Sequence, residues 1–288
     1  MTKLRPYSEF FFLCAVSLVA GWHILASTFA LAWGNESYTQ ILLILPVSAS
    51  LVLMDWRDTG RMVVRHSRAG SALLIIALVI GGCARWLSVP TDVRLSIGML
   101  ALVLWWVGAF VFCGGIPVAR KMIFPLCFLL WMVPFPAVLF HSVIRLLQEG
   151  SAVCARWLLE GAAVPVAQDG LKLTIPGLTV EVAEECSSIR SSLMLLITTM
   201  VLAQLLVRSP WSRTLLVAFA VPLSVAKNGL RIFTIAMLGT RVDPGYLAGR
   251  LHHHGGVLFF AIALAVVFLL IWALRHVEDK ATRMTQIV

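Results

Sequence analysis

Long apolar runs separated by short polar stretches dominate the chain. Eight runs stand out, at residues 10–31, 41–54, 69–87, 95–112, 122–140, 188–207, 214–238 and 255–274. Each is a candidate membrane-spanning helix, because about 20 apolar residues cross the hydrocarbon core. The second run is the shortest. The one sizeable polar stretch, 141–187, has its own pattern. Between Ser142 and Glu160, Arg145, Glu149, Arg156 and Glu160 recur at helical spacing, with Val143, Ile144, Leu147, Cys154 and Leu158 largely elsewhere. This predicts an amphipathic helix lying along the membrane surface. Beyond it, Leu171, Leu173 and Ile175, then Pro176-Gly177, then Leu178, Val180 and Val182 alternate with period two, which predicts a small β-hairpin. The expected fold class is an all-α polytopic membrane protein of about eight spans. One amphipathic helix and a small β-hairpin occupy its long external loop.

Composition agrees. The 288 residues are 60% hydrophobic and only 13% charged, and mean hydropathy is +0.92. A soluble domain of this size cannot hide so much apolar surface. A net charge of +9 raises the question of nucleic acid, but the basic residues are spread over short loops, so no nucleic-acid partner is expected. Their distribution orients the chain. With a cytoplasmic N-terminus, thirteen fall inside: Lys3, Arg5, Arg57, Arg61, Arg65, Arg68, Arg120, Lys121, Arg208, Arg213, Arg275, Lys280 and Arg283. Seven fall outside: Arg85, Arg94, Arg145, Arg156, Lys172, Arg241 and Arg250. The excess inside is what membrane insertion favours, and eight spans return the C-terminus to the cytoplasm. The first run follows Lys3 and Arg5 but lacks a small-residue cleavage site, which predicts a retained helix rather than a signal peptide. Six cysteines contain no Cys-x-x-Cys pair, so no disulfide framework, metal site or cofactor is expected.

Three groups of residues carry candidate chemistry. Glu184-Glu185-Cys186 stands where the external loop meets the sixth run, and Arg190 follows one helical turn later. A helix N-terminus and a nearby cation both favour a reactive thiolate. Equally, Arg190 reads as a snorkelling side chain and Cys186 as one small residue among six. Lys227, Asn228 and Arg231 lie inside the seventh run, where ionisable groups are costly and mark functional positions. Lys227 and Arg231 are four apart on one face and repel, which implies an anion or polar cavity before them, or a structural pair satisfied by carbonyls or by Glu184 and Glu185. His252-His253-His254 precede Gly255-Gly256 at the start of the eighth run. Consecutive histidines cannot all point one way, which argues against a triple-histidine zinc site and leaves a His-rich interfacial turn as the plain reading. In the expected topology, however, thiol, guanidinium and imidazole reach the same membrane face on consecutive helices. That is the inventory of a cysteine acyl-transfer site.

In these motifs the chain resembles the exosortase/archaeosortase family over roughly residues 95–274. The likeness rests on the Pro-rich fifth run, from Phe124-Pro125-Leu126 to Pro134-Phe135-Pro136, and on Leu178 through Arg190 around Cys186. It continues in Asn228-Gly229-Leu230-Arg231 and in Leu251-His252-His253-His254-Gly255-Gly256. Ser188 departs from the family pattern, which has Gly there, and Glu185 stands where a small residue commonly precedes the cysteine. The resemblance implies a single membrane domain over 1–288, a catalytic core at 95–274 and a periplasmic loop at 141–187 leading to the nucleophile. It implies a cysteine protease/transpeptidase of the bacterial inner membrane, its site facing the periplasm and both termini cytoplasmic. Its partners would be membrane-anchored proteins carrying a C-terminal sorting signal of the Pro-Glu-Pro type, and the lipid bilayer. Cys186, Arg231 and His252 would be catalytic, with Arg190, Lys227, Asn228, Glu184 and His254 in support. His252 is favoured by its register with Gly255-Gly256, and His254 comes second. The family gives the acid role to the arginine, whereas an imidazole carries protons more readily near neutral pH. An anion-binding transporter and a non-catalytic factor in exopolysaccharide export are the competing readings.

Overall fold

Gly21, Gly115 and the Pro134-Phe135-Pro136 run interrupt what would otherwise be uniform spans. The computed structural model describes residues 5–59, 67–181, 189–242 and 250–285. They form two compact units, Met1–Phe140 and His141–Val288.

In the first unit, α1 (Arg5–Ala20) and α2 (Trp22–Gly34) meet at Gly21 with a bend of 73°. A short 3₁₀ turn, Glu36–Tyr38, leads into α3 (Ile41–Thr59), α4 (Arg68–Trp86) and α5 (Thr91–Lys121). The α4–α5 hairpin is the tightest contact here. A Cβ on Gly70 would stand 2.3 Å from the backbone N of Phe112, one on Gly108 3.1 Å from Leu73 and Leu74, and one on Gly81 3.4 Å from Ala101. Gly70, Ala77 and Ala84 recur at seven-residue intervals and are buried. Small residues at one seam let helices approach closely where lipid offers no hydrophobic drive for association. Trp105 and Trp106 tie α5 to α1, donating to the Leu13 carbonyl at 3.0 Å and to Ser17 Oγ at 2.9 Å.

Near its end, α5 breaks at Gly115, whose φ of 79° and ψ of 168° suit glycine and few other residues. Then come α6 (Ile123–Phe128), a 3₁₀ turn Leu129–Met132, and an extended stretch into α7 (Ala137–Gly161), with a bend of 100°. Irregular backbone leaves carbonyls that hydrocarbon cannot satisfy, so side chains from neighbouring helices take them up. Ser48 donates to the Pro125 carbonyl at 2.7 Å, Ser96 to that of Pro134 at 2.7 Å, and Tyr38 to that of Phe135 at 3.2 Å. The Ala137 N–H opening α7 donates to Asp92 Oδ2 at 2.8 Å.

In the second unit, α7 is followed by a three-stranded antiparallel sheet: β1 (Ala167–Asp169), β2 (Lys172–Ile175) and β3 (Leu178–Glu181). Pro176-Gly177 turns β2 into β3 as the alternation predicts, with Gly177 at φ 82°. Leu173 and Ile175 face inward. Leu173 packs with Ala152 and Ala155 of α7 and with Ile232, and Ile175 with Leu159 and Ala236. The remaining helices are α8 (Ile189–Leu206), α9 (Pro210–Arg241) and α10 (Arg250–Thr285). A core of Leu195, Ala203, Val207, Leu216, Ala263, Val267 and Ile271 joins these three. At the α8–α9 turn, Glu278 of α10 accepts from the Arg208 and Ser209 N–H groups at 3.2 and 2.9 Å.

Among the described residues, six helices are long and apolar enough to cross a membrane, and eight spans result when each bent pair counts as one. Large apolar side chains point outward, as Ile75, Leu78 and Val79 do on α4 and Leu269 and Trp272 on α10. The all-α polytopic membrane fold is therefore present, with its first and fifth spans broken.

Candidate functional site

Three polar side chains of α9 lie almost fully inside the protein. Lys227 is 7% exposed, Asn228 1% and Arg231 8%. Lys227 and Arg231 stand one helical turn apart, so two cations share one buried stretch. The neighbouring helices explain how the fold holds them.

On one side is α7. Asn228 Nδ2 donates to Ser151 Oγ at 3.1 Å, and Ser151 donates its single hydroxyl proton to the Leu147 carbonyl at 2.6 Å. Ser151 Oγ can therefore only accept from Asn228, which fixes the orientation of the amide. Asn228 Oδ1 is buried and has no hydrogen-bond partner among the described residues. One residue further on, Gly229 passes so close to α7 that an added Cβ would lie 2.6 Å from Cys154 Sγ and 3.2 Å from the Ala155 N. Gly150 meets Val225 in the same way, a Cβ there lying 3.1 Å from Val225 Cγ1. The contacts Gly150–Val225, Ser151–Asn228 and Cys154–Gly229 advance together along both chains. Thus α7 runs alongside α9 in the same sense.

The expected amphipathic helix is present in α7, but protein covers part of its surface. Its buried stripe is Ile144, Gln148, Ser151, Ala152, Ala155 and Leu159. Small and polar residues fill most of that stripe because it meets another helix closely. The charged pairs Arg145–Glu149 and Arg156–Glu160 lie outside it, at 3.9 and 3.4 Å.

On the other side is α8. Lys227 Nζ donates to Ser191 Oγ, in the first turn of that helix. Arg190 precedes Ser191 in the same turn and is exposed. The Lys227–Ser191 bond thus joins the basic stretch of α9 to the first turn of α8, which begins three residues after Cys186 in sequence. Cys186 and Glu184 lie outside the described residues. The backbone of His252 and His254 falls in the first two turns of α10, which begins at Arg250, ahead of the expected start at 255. Their side chains lie outside the described residues.

Of the expected site residues, Lys227, Asn228 and Arg231 are thus brought together, with Lys227 joined to the turn that carries Arg190. Two partners were not legible beforehand, Ser151 and Ser191. Each had a weak signal. Ser151 sits in the small-residue run Gly150-Ser151-Ala152, and Ser191 directly follows the motif around Arg190. Among the described residues, no group of three His, Cys, Asp or Glu side chains could hold a metal ion.

Broken spans, proline-lined irregular backbone and a buried basic pair tied between helices define a polytopic helical membrane protein with a polar site inside its helix bundle. Residues 33–269 match the family model described as transmembrane exosortase, and the chain belongs to that family. No curated protein and no solved structure matches it.

Proposed function

We propose that the protein is a membrane cysteine protease/transpeptidase that cleaves the C-terminal sorting signals of exported proteins. One observation carries this reading within the family. Lys227, Asn228 and Arg231 are buried side by side on α9, and Lys227 is bonded to the first turn of α8, the helix that Cys186 precedes. Cations held at that depth suit a site where negative charge develops during reaction.

In the proposed reaction the Cys186 thiolate attacks the scissile carbonyl. The C–N bond breaks, the amine leaves with a proton, and an acyl-thioester remains on Cys186. Water, an amine or a lipid nucleophile then attacks the thioester and restores the thiol. Arg231 offers fixed N–H donors to the tetrahedral oxyanion and does not serve readily as a base, since guanidinium stays charged. His252 moves the proton, with His254 as the second candidate. Lys227 holds an anionic group of the substrate, while Asn228 sets its depth on α9. Arg190 and Glu184 flank the nucleophile. In this reading the site faces the periplasm, both termini are cytoplasmic, and the protein sits in the bacterial inner membrane, where substrates arrive through their own transmembrane helix.

The test replaces each of the six cysteines with Ala and follows processing of a co-expressed sorting-signal substrate on gels. Processing should fail in Cys186→Ala alone. Full processing by Cys186→Ala would refute the enzyme reading and leave anion transport or a non-catalytic role in export.

A further inference from the structure

Two interruptions in the first unit border one apolar cavity. Its volume is about 680 Å³. Leu18 and Leu25 line it from either side of the Gly21 bend, and Gly114 lines it next to the Gly115 break. Phe10, Ala49 and Leu126 line it from α1, α3 and α6. The side-chain oxygen and nitrogen atoms in its lining are already engaged, Ser48 donating to the Pro125 carbonyl at 2.7 Å and Trp106 to Ser17 at 2.9 Å, which leaves apolar groups and the Cys14 and Cys113 thiols. Nothing in the lining invites a polar ligand. The cavity is partly open, so its apolar lining makes full dispersion contacts only against an apolar partner.

The occupant follows from size, lining and charge. The volume lies in the range of about 300–1,000 Å³ typical of small-molecule sites. A helix about 10 Å across needs more than that for two turns, so a substrate's transmembrane segment would not fit inside. An unbranched hydrocarbon chain fits and is what the surrounding bilayer supplies. At one border the chain turns sharply at Gly115 and runs on to Arg120 and Lys121. Val118, between the break and that pair, is buried with Phe110, Met122 and Leu126, and two of these three, Phe110 and Leu126, also line the cavity. Arg120 and Lys121 themselves are exposed. A basic pair beside an apolar recess in a membrane-spanning unit is complementary to an anionic phospholipid.

We propose that this cavity holds one acyl chain of an anionic bilayer phospholipid, whose phosphate is met by Arg120 and Lys121. The lipid fills the space that the Gly21 and Gly115 breaks leave open. It thereby acts as a structural ligand of the first unit, independent of any chemistry at Lys227 and Arg231.

The full-length protein, reconstituted in vesicles, would be irradiated with phosphatidylglycerol bearing a diazirine midway along one acyl chain, and labelled peptides mapped. Labelling should concentrate in α1, α3 and α5 over the outward faces of α4 and α10. Ala49→Trp, which fills the cavity, should reduce it to the level of α10. The surface variant Arg120→Gln/Lys121→Gln should still be labelled by a phosphatidylcholine probe. It should lose a preference for phosphatidylglycerol worth about fivefold per basic residue. Labelling spread evenly over all outward faces and unchanged by Ala49→Trp would overturn the acyl-chain site. A headgroup preference intact in the double glutamine variant would overturn the role of Arg120 and Lys121.

Discussion

Asn228 donates to Ser151 across the α7–α9 contact at 3.1 Å, and both residues are buried to within 1% of their surface. This bond sets the rotation of α9 about its own axis. Lys227 precedes Asn228 and Arg231 follows it by three residues, so the bond also sets where the two cations point. Ser151→Ala should leave the Asn228 amide without an acceptor and cost about 1–3 kcal/mol. Asn228→Leu combined with Ser151→Ala should cost less than the two single changes summed. Thermal unfolding of the four proteins in detergent gives the coupling, and strict additivity would mean that the bond contributes nothing.

Lys227 and Ser191 should behave asymmetrically. Removing a buried charge for an apolar side chain of similar length is often neutral or stabilising, whereas removing its partner leaves the charge unsatisfied. Ser191→Ala should therefore lower the unfolding temperature more than Lys227→Met does. The reverse order would show that the ammonium is satisfied without Ser191.

Arg231 separates charge from geometry. If it steadies an oxyanion, Arg231→Ala should slow acylation of Cys186 by about 10²–10³. Arg231→Lys should recover little, because the planar fork is lost. Single-turnover acylation, measured beside a thermal scan, checks both. A folded Arg231→Ala protein that acylates at the parental rate would make Arg231 structural.

Two glycines should respond in opposite ways to the same methyl group. Gly229→Ala forces a Cβ to 2.6 Å from Cys154 Sγ and should cost about 1–3 kcal/mol through overpacking. Gly82→Ala lies within α4 with nothing inside 4 Å and should stabilise by about 0.4–1 kcal/mol. Paired unfolding curves decide, and similar shifts in both variants would refute the close approach of α7 to α9.

The regular spans were legible because a membrane helix must be apolar along its whole length. The runs 41–54, 95–112 and 214–238 fall inside α3, α5 and α9. The β2–β3 turn was legible because Pro176-Gly177 interrupts a clean alternation. The glycine interruptions of the spans were hidden. Gly21 and Gly115 sit in apolar surroundings and change no hydropathy, so only tertiary packing reveals that the chain bends there. Strand β1, Ala-Gln-Asp, has little strand character of its own and pairs because β2 offers an edge. The buried face of α7 was missed for a related reason. Its contact with α9 selects small residues such as Gly150 and Ser151, and a reading based on hydrophobic contrast looks past them. Lys227, Asn228 and Arg231 stood out in sequence because charge in an apolar run has few innocent explanations. Their partners, two serines, did not.

The closeness of Gly229 to Cys154 ties two distant sequence positions into one inherited unit. The shared space admits a single side chain, and here residue 154 holds it. A lineage can enlarge residue 229 only after residue 154 has shrunk, so the two should drift together across related chains even though neither need ever touch a substrate. Enlarging residue 229 alone would push apart the helices that hold Ser151 and Asn228. Selection on the polar site would then be recorded in a thiol and a glycine that take no part in its chemistry.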